Sequence, residues 1–294
     1  MSDNRTKQPN NVRPVRRVRK RFSLKGLVTL SAMGAVAALL LVILGLYLSG
    51  LRITQSQSGD GVTAKFFGWT EKGAYSSGTL YFSGEGSGTA KVDLEKKTIT
   101  YSNGDVYKGE MAQGFPNGNG TMKYANGNVY KGQFINGVIE GKGKKTYANK
   151  DVYEGDFKKG MYNGNGVYTE SEGTVYTGTF IDNKKEGQGK VVYANGDVYE
   201  GTFKNNAKNG QGVYVFASGD KYIGRFVNDL FDGEGKYTWE NGESFEGTFS
   251  QGLNSGNGTL TRKNGTILFG YFENGQFIRT QTETQTNTQT DTEY

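Results

Sequence analysis

The sequence predicts an all-β fold: a single-layer antiparallel solenoid of β-hairpins, preceded by one transmembrane α-helix. Three observations predict it, namely a 23-residue period, Asn-Gly turns between alternating segments, and a long uncharged stretch near the N-terminus. A fixed period of this length is typical of repeat proteins, in which each unit packs only against its neighbours. Function is therefore expected on an extended surface rather than in one deep pocket.

The first 51 residues predict a membrane anchor. Residues 1–25 contain nine Lys or Arg residues against the single acid Asp3, and residues 26–51 carry no charge. A helix of that length spans roughly 39 Å at about 1.5 Å per residue, which exceeds a hydrocarbon core of about 30 Å. The basic residues on its N-terminal side predict a cytoplasmic segment at 1–25 and a signal anchor at 26–51. Everything after Arg52 is then extracytoplasmic, so we expect a single-pass protein of the cell membrane.

Two alternatives compete for the same stretch, a cleaved signal peptide and a buried core helix. A buried helix would need flanking globular sequence, which residues 1–25 do not provide. A cleaved signal peptide also begins with basic residues, but its apolar region is shorter and no Ala-x-Ala site lies near residues 49–50. The stretch also carries small residues on one helical face, which would allow two such helices to pair. That face consists of Ser31, Gly34, Ala35, Ala38 and Gly45. Self-association through this face stays open.

The regions that flank the repeats follow other patterns. Residues 52–61 are interpreted as a linker, and residues 62–100 as a β-rich N-terminal cap that protects the first edge of the sheet. Strand-like segments in the cap lie at 62–67, 79–82, 89–92 and 98–101. Residues 279–294 are almost wholly Thr, Gln, Asn and acidic residues, a composition that predicts a disordered tail.

Residues 101–278 form the repeat region, with seven full repeats and a partial one. Each repeat begins with an aromatic residue or Leu, and a glycine follows two residues later. The first positions are Tyr107, Tyr130, Tyr153, Tyr176, Tyr199, Tyr222, Phe245 and Leu268. Each repeat is predicted to contain two strands, the first with the pattern Tyr-x-Gly-x-Phe and the second beginning with Gly-x-Gly.

Two kinds of turn are predicted. The loop inside each repeat carries Gly, Asn or Asp at one position, and these are the residues that tolerate positive φ. That position is occupied by Gly114, Gly137, Gly160, Asn183, Asn206, Asp229, Gly252 and Gly275. The connection to the next repeat is frequently Asn-Gly, as at Asn126-Gly127, which is a strong signal for a two-residue hairpin turn.

The alternation of residues along each strand gives the sheet two different faces. One face carries the aromatic and glycine residues, and the other carries Thr, Lys and Glu. Each repeat has one glycine in its first strand and two in its Gly-x-Gly motif. Glycine is a poor strand residue, so this regular use indicates that a neighbouring ring lies flat across the bare backbone at these positions. We therefore expect the rings to stabilise the sheet without any covering helix layer.

Composition argues against several functions. The chain has 294 residues, a net charge of +6, no Cys and no His. The basic segment accounts for all of the excess charge, since the rest of the chain carries about −2, so we expect no nucleic-acid binding. The absence of Cys and His removes the usual transition-metal ligands and the commonest general base. We therefore expect no enzyme, no cofactor and no metal site.

The motifs Tyr-x-Gly-x-Phe, Gly-x-Gly and Asn-Gly-Asp-Val-Tyr-x-Gly, the last at 195–201, resemble the MORN repeat (membrane occupation and recognition nexus). The resemblance extends over residues 98–276. It implies an elongated sheet of hairpins that acts as a scaffold or protein-binding module, with phospholipid contact proposed for some members. The chain departs from the family pattern at several positions: Met111, Phe134, Lys150, Phe157, Glu170 and Arg262.

The first functional hypothesis is a membrane-anchored scaffold that binds a protein, or a second copy of itself, along the repeats. The alternative is binding of envelope carbohydrate or lipid headgroups by rings of the aromatic face. Those rings would be either a binding groove or simply core. The candidate residues are Tyr107, Tyr130, Tyr153, Tyr176, Tyr199 and Tyr222 in the first strands, with Tyr124, Tyr147, Tyr193, Phe216 and Trp239 in the second strands.

Overall fold

The computed structural model describes residues 39–44, 46, 51–57, 63–71, 74–83, 88–112 and 114–280. The chain divides into two units, residues 1–51 and residues 52–294. In the first unit, residues 39–44 and 46 are helical and exposed. Within the described residues, no helix is both long enough and apolar enough to cross a bilayer. The predicted basic segment, most of the predicted anchor, and residues 281–294 of the predicted tail lie outside the described residues.

The second unit begins with strands where a linker and a cap were predicted. β1 covers Leu51–Gln57 and pairs with β2, so the prediction of a linker at 52–61 is wrong for this segment. Its Thr, Gln and Ser residues do not prevent this pairing, because backbone hydrogen bonds to a neighbouring strand do not require an apolar face. The next strands are β2 (Thr63–Glu71), β3 (Ala74–Ser83), β4 (Gly88–Asp93) and β5 (Thr98–Tyr101).

The repeats supply two strands each. Repeats 1 to 7 are numbered from Tyr107, and a first strand of seven residues alternates with a second strand of nine. The first strands are β6 (Val106–Ala112), β8 (Val129–Ile135), β10 (Val152–Lys158), β12 (Val175–Ile181), β14 (Val198–Lys204), β16 (Lys221–Val227) and β18 (Ser244–Ser250). The second strands are β7 (Phe115–Lys123), β9 (Val138–Thr146), β11 (Met161–Thr169), β13 (Lys184–Val192), β15 (Ala207–Val215), β17 (Leu230–Thr238) and β19 (Leu253–Thr261).

The partial repeat adds β20 (Ile267–Glu273) and β21 (Gln276–Thr280). The described strands form one 21-stranded sheet, in which β1 pairs with β2 and each strand from β2 onward pairs antiparallel with the next one along the chain. The expectation of an antiparallel hairpin sheet is therefore confirmed, and Arg279 and Thr280 belong to β21 rather than to the predicted tail.

The turn inside each repeat is tighter than predicted. In repeat 2 the predicted loop around Gly137 is a two-residue turn, in which Asn136 and Gly137 both have positive φ, +47° and +88°. This is the conformation of a type I′ turn, whose twist matches that of paired strands. All eight positions predicted to be left-handed have φ between +68° and +88°. The second strand therefore starts at Val138, earlier than the Gly-x-Gly motif.

The Asn-Gly sequence occupies a different turn from the one predicted. Residues 124–128 form a five-residue connection, in which the Tyr124 amide donates to the Asn128 carbonyl and the Gly127 amide donates to the Tyr124 carbonyl, both at 2.9 Å. Only Gly127 of the Asn-Gly pair has positive φ, +88°. The prediction of a two-residue turn here is wrong, because Asn-Gly also suits a type I turn followed by a left-handed glycine.

The core is a ladder of rings along the aromatic face. Tyr153 is fully buried, and Phe157 packs edge-on against it and against Tyr130 of the previous repeat, with centroid distances of 5.1 and 5.0 Å. Similar pairs continue from Tyr107 to Phe272. Each buried ring contributes about 1.5–3 kcal/mol. Repetition of this contact stabilises a sheet that has only one layer.

Glycine provides the surface on which the ring lies. Gly155 of β10 pairs with Gly166 of β11, and the Tyr153 ring covers both. A Cβ atom would lie 2.6 Å from the Tyr153 hydroxyl at Gly155 and 2.5 Å from it at Gly166. The two glycines of each repeat that pair in this way form a continuous glycine row across the sheet. The prediction of rings lying on bare backbone is correct for this row.

Glycine is required for a different reason at the first position of each Gly-x-Gly motif. Gly164 has a φ of +111°, and a Cβ atom there would approach the Asp156 side chain on the opposite face at 2.9 Å. It lies where the register shifts between Gly155 and Phe157, so a β-bulge requires its conformation. The prediction that a ring covers this glycine is therefore wrong. The equivalent residues have φ between +67° and +102°: Gly118, Gly141, Gly187, Gly210, Gly233 and Gly256.

Candidate protein-binding face

The structure separates the candidate rings into two sets. The tyrosines at the first position of repeats 1 to 6 are at most 1% exposed, so these rings are core rather than accessible surface. They are Tyr107, Tyr130, Tyr153, Tyr176, Tyr199 and Tyr222. Their hydroxyls donate to the backbone three residues later, as Tyr153 does to the Asp156 carbonyl at 2.9 Å. Burial raises the pKa of Tyr176 and Tyr199 to about 12, so both hydroxyls remain donors at neutral pH.

The second set is partly accessible. Its members begin the five-residue connections between repeats and are half-buried: Tyr124, Tyr147, Tyr193, Phe216 and Trp239. Four of them pack against the core cluster, and Phe216 contacts Tyr214 with a centroid distance of 4.6 Å. We call this set the outer row. Glu170 and Arg262 occupy the equivalent positions of repeats 3 and 7.

A carboxylate connects successive repeats beside the outer row. Asp197 accepts a hydrogen bond from the Tyr214 hydroxyl at 2.7 Å and another from the Ala217 amide at 2.8 Å. Asp151 and Asp220 make the same pair of bonds with their own neighbours. These hydrogen bonds were not predicted from the sequence. They hold one connection against the next and so fix the spacing of the outer row.

Two lysines interrupt the apolar character of this face. The tenth residue of the repeat is a ring in repeats 3 and 6, where Tyr162 stacks on Tyr153 at 3.6 Å and Phe231 stacks on Tyr222 at 3.8 Å. In repeats 4 and 5 the same position holds Lys185 and Lys208, which we call the lysine pair. The lysine pair was not predicted from the sequence, although alignment of the tenth residues of the repeats reveals it.

The two ammonium groups have different surroundings. Lys208 Nζ lies 3.3 Å from the Asp229 carboxylate, 3.1 Å from the Tyr193 hydroxyl and 5.5–5.7 Å from three ring centroids. Its side chain is only 13% exposed. Lys185 Nζ lies 4.9 Å from the centroid of Tyr176 and forms no hydrogen bond or ion pair in the part of the chain that the structure describes. Burial lowers the pKa of Lys185, although the charges of Glu170 and Asp229 oppose that shift.

The opposite face is polar and carries a groove in repeats 1 to 3. The groove has a volume of about 840 Å³ and lies over the glycine row. Lys142 and Lys144 on its rim pair with Asp156 at 2.8 Å and Glu154 at 3.1 Å, respectively. The charges of these two lysines and of their two acidic partners in repeat 3 therefore compensate one another. Among the described residues, no group of three or more Asp and Glu side chains is arranged to hold a metal ion.

Comparison with known proteins identifies the repeat. The MORN repeat family model matches seven consecutive segments: 107–129, 130–152, 153–175, 176–198, 199–221, 222–244 and 245–267. No curated protein sequence matches the chain.

Two solved structures show a weak likeness. The TCP domain of SAS-4 from Drosophila melanogaster, solved with a proline-rich motif of dSTIL, is 14% identical over 75% of this chain and 90% of that one, with a TM-score of 0.31. An inactive virginiamycin B lyase from Staphylococcus aureus, solved with quinupristin, is 11% identical over 76% of this chain and 85% of that one, with a TM-score of 0.15. These scores support no argument about function. The seven family matches cover more than half of the chain and coincide with its 23-residue period, so the chain belongs to the MORN repeat family.

Proposed function

We propose that the chain is a membrane-anchored, non-enzymatic scaffold that binds a protein partner along its aromatic face. The observation that carries this proposal is the outer row, which extends from Tyr124 to Trp239 with Glu170 at its repeat-3 position. No second layer lies over it in the described part of the second unit. Half-buried rings on a regular sheet offer apolar contact area at a low entropic cost, because the core already restrains them. An extended face of this kind suits an elongated protein ligand better than a small molecule.

The proposed anchor is the uncharged stretch at 26–51, with the basic segment on the cytoplasmic side and the repeats outside the cell membrane. Its support is the length of the stretch and the nine basic residues before it. The anchor would restrict the scaffold to partners at the membrane surface. Homotypic contact between two copies belongs to the same proposal, since paired anchors would raise the local concentration of a second repeat region.

The second candidate function is binding of envelope carbohydrate or a lipid headgroup. One feature favours it, a cavity of about 120 Å³ lined by Phe231, Tyr237, Trp239 and Asn254, among others. Rings with a neighbouring amide suit a sugar or a cationic headgroup. This cavity is confined to one end of the outer row, whereas the row itself extends over repeats 1 to 6.

Site-specific photo-crosslinking in the native membrane tests the proposal. A photoreactive residue at Trp239, at Tyr193 or, as control, at the exposed Thr177 of the polar face would report what touches each face. We expect protein adducts from the two outer-row positions and few from Thr177. Adducts that contain only glycan or lipid would favour the second candidate, and equal protein adducts from all three positions would contradict both.

The proposed topology has its own test. Protease added outside sealed cells should cleave within residues 52–294.

A further inference from the structure

The lysine pair is placed where the pattern of the repeat calls for an apolar ring. Tyr162 and Phe231 on either side stack on the core tyrosines, so an apolar residue at 185 or 208 would extend that stacked surface. A lysine instead brings its ammonium into partly desolvated surroundings, which disfavour the charged form. Lys208 compensates through Asp229 and the Tyr193 hydroxyl. Lys185 has no equivalent partner among the described residues.

Lys185 is therefore a half-buried cation with one unmet interaction on the proposed binding face. Asp229 pairs directly with Lys208, and it also accepts a hydrogen bond from the Lys208 amide at 2.9 Å. Glu170 influences Lys185 through its charge but forms no ion pair with it. An ammonium beside rings gains most when an anion approaches from the open side of the sheet.

We infer that Lys185, with Lys208 beside it, binds a carboxylate of an acidic segment of the protein partner. This inference rests on the proposed function, and it names the chemistry of the partner at repeats 4 and 5. The Lys185 ammonium makes the primary contact with the carboxylate, and Lys208 stabilises the complex through its charge. The neighbouring Tyr193 and Phe216 of the outer row contact the apolar parts of the same segment.

Charge balance distinguishes a carboxylate from a phosphate. Two acids, Glu170 and Asp229, act on Lys185 through their charge, but only Asp229 forms an ion pair, with Lys208, so within the described ranges Lys185 lacks a directly bonded acid. One unpaired ammonium matches one negative charge, whereas a phosphate group carries about −1.5 to −2 and would face the two acids. A peptide segment is favoured over a free carboxylate because the site lies on an open face beside Tyr193 and Phe216 of the outer row rather than in an enclosed pocket.

The test uses the full chain in detergent micelles and a hexaglutamate peptide that carries a diazirine group. Mass spectrometry maps the photo-adducts, and adducts on the basic segment at 1–25 serve as an internal reference for nonspecific binding. We expect adducts within residues 185–216. Lys185→Gln should lower their yield at subsaturating peptide by about tenfold or more, as expected for loss of a charged hydrogen bond. Lys185→Arg should retain most of the yield.

The matched control is Lys190→Gln, since Lys190 lies in the same strand but on the polar face, where it pairs with Glu200 at 3.8 Å. It should leave both sets of adducts unchanged. Equal yields from the Lys185→Gln chain and the unsubstituted chain, or adducts on residues 1–25 alone, would overturn the inference. Competition by inorganic phosphate at equal concentration would also overturn it.

One further variant tests whether the chain's own C-terminal tail occupies the site. Residues 281–294 contain Glu283, Asp291 and Glu293, so the chain's own tail carries carboxylates. Removal of residues 281–294 should leave the adduct yield unchanged. A rise of about tenfold would show that the tail competes for the site, and a partner segment would then be the wrong occupant. The proposed function has a separate test, the crosslinks at Tyr193 and Trp239 in native membranes, so its failure can be distinguished from failure of this inference.

Discussion

At the scale of single residues, the tyrosine that begins each repeat does two things that no smaller residue combines. The Tyr153 ring covers the glycine row, and its hydroxyl donates to the Asp156 carbonyl. Asp156 has no partner residue in β11, because the register shifts at the bulge between Gly155 and Phe157. The hydroxyl therefore satisfies a carbonyl that the bulge leaves without a partner on that side. Phe245 of repeat 7 can perform only the first of these functions.

The hydroxyl can be tested alone. Tyr153→Phe retains the ring but leaves the Asp156 carbonyl without its donor, so we expect a loss of about 1 kcal/mol in the free energy of unfolding. Urea denaturation of the full chain, followed by circular dichroism, measures this change. Tyr81→Phe is the control, since Tyr81 is 52% exposed, and it should change the midpoint little. An equal effect of the two substitutions would contradict the assigned role.

At the scale of the strand and turn, hairpins are held together at both ends by side-chain to backbone bonds. Asp197 links one long connection to the next, and Asn183 and Asn206 do the same at the two-residue turns by accepting bonds from Tyr162 and Lys185 amides. These bonds explain why Asn and Asp recur in the turns beyond their tolerance of positive φ. They align successive repeats even where the rings between them differ.

The carboxylates of the long connections predict a loss of stability in acid. Hydrogen bonds lower the pKa of Asp197 and Asp220, from the Tyr214 and Tyr237 hydroxyls first and then from backbone amides. A lowered folded-state pKa means that the stabilisation is fully present above the unfolded pKa and is lost as pH falls through the folded pKa. We expect a constant urea midpoint from pH 7 to about 5 and a decline below about pH 4.

The double variant Asp197→Asn with Asp220→Asn keeps one of the two acceptor oxygens at each site but cannot titrate. Its midpoint should therefore decline less steeply below about pH 4 than that of the unsubstituted chain. Asp232→Asn is the control, because the Asp232 carboxylate forms no hydrogen bond within the described residues. An acid profile that is unaffected by the double variant would show that other carboxylates control the pH dependence.

The sequence predicted the strands better than the turns. The alternation around Tyr153 defines the strand and its faces, and the left-handed position at Gly160 follows from Gly, Asn and Asp sharing that place. Asn126-Gly127 was misassigned because this pair suits two turn geometries, and strand pairing selects between them. The Tyr153 hydroxyl bond depends on the bulge, which no local pattern reveals. The lysine pair was predictable in principle, since it only requires alignment of equivalent residues.

At the scale of the second unit, stability is a sum over neighbouring repeats. Each hairpin contacts the one before and the one after it, so no single repeat is central to the fold. The face that carries the buried ring ladder also carries the outer row. Stability and the proposed function therefore share one face, and the polar face remains free to vary.

This modular arrangement predicts tolerance to loss of a whole repeat. Deletion of residues 130–152 joins Val129 to Tyr153 in phase, so the glycine row and the ring ladder continue across the junction. We expect the far-ultraviolet circular dichroism per residue to be retained, with a modest fall in thermal midpoint. Deletion of residues 130–141 removes half a repeat and should disrupt the sheet. Similar spectra from both deletions would argue against packing by repeats.

Hydrogen exchange by the full chain and its Gly166→Ala variant tests most directly whether rings on bare glycine hold the sheet together. A Cβ atom at Gly166 would lie 2.6 Å from Cε2 of Tyr153, so the ring must move off the glycine row. In the unsubstituted chain we predict amide exchange in β10 and β11 about 1,000-fold slower than in an unfolded peptide. The variant should lose most of that protection in these strands and keep it in β16 and β17. Unchanged protection in β10 and β11 of the variant would contradict the account.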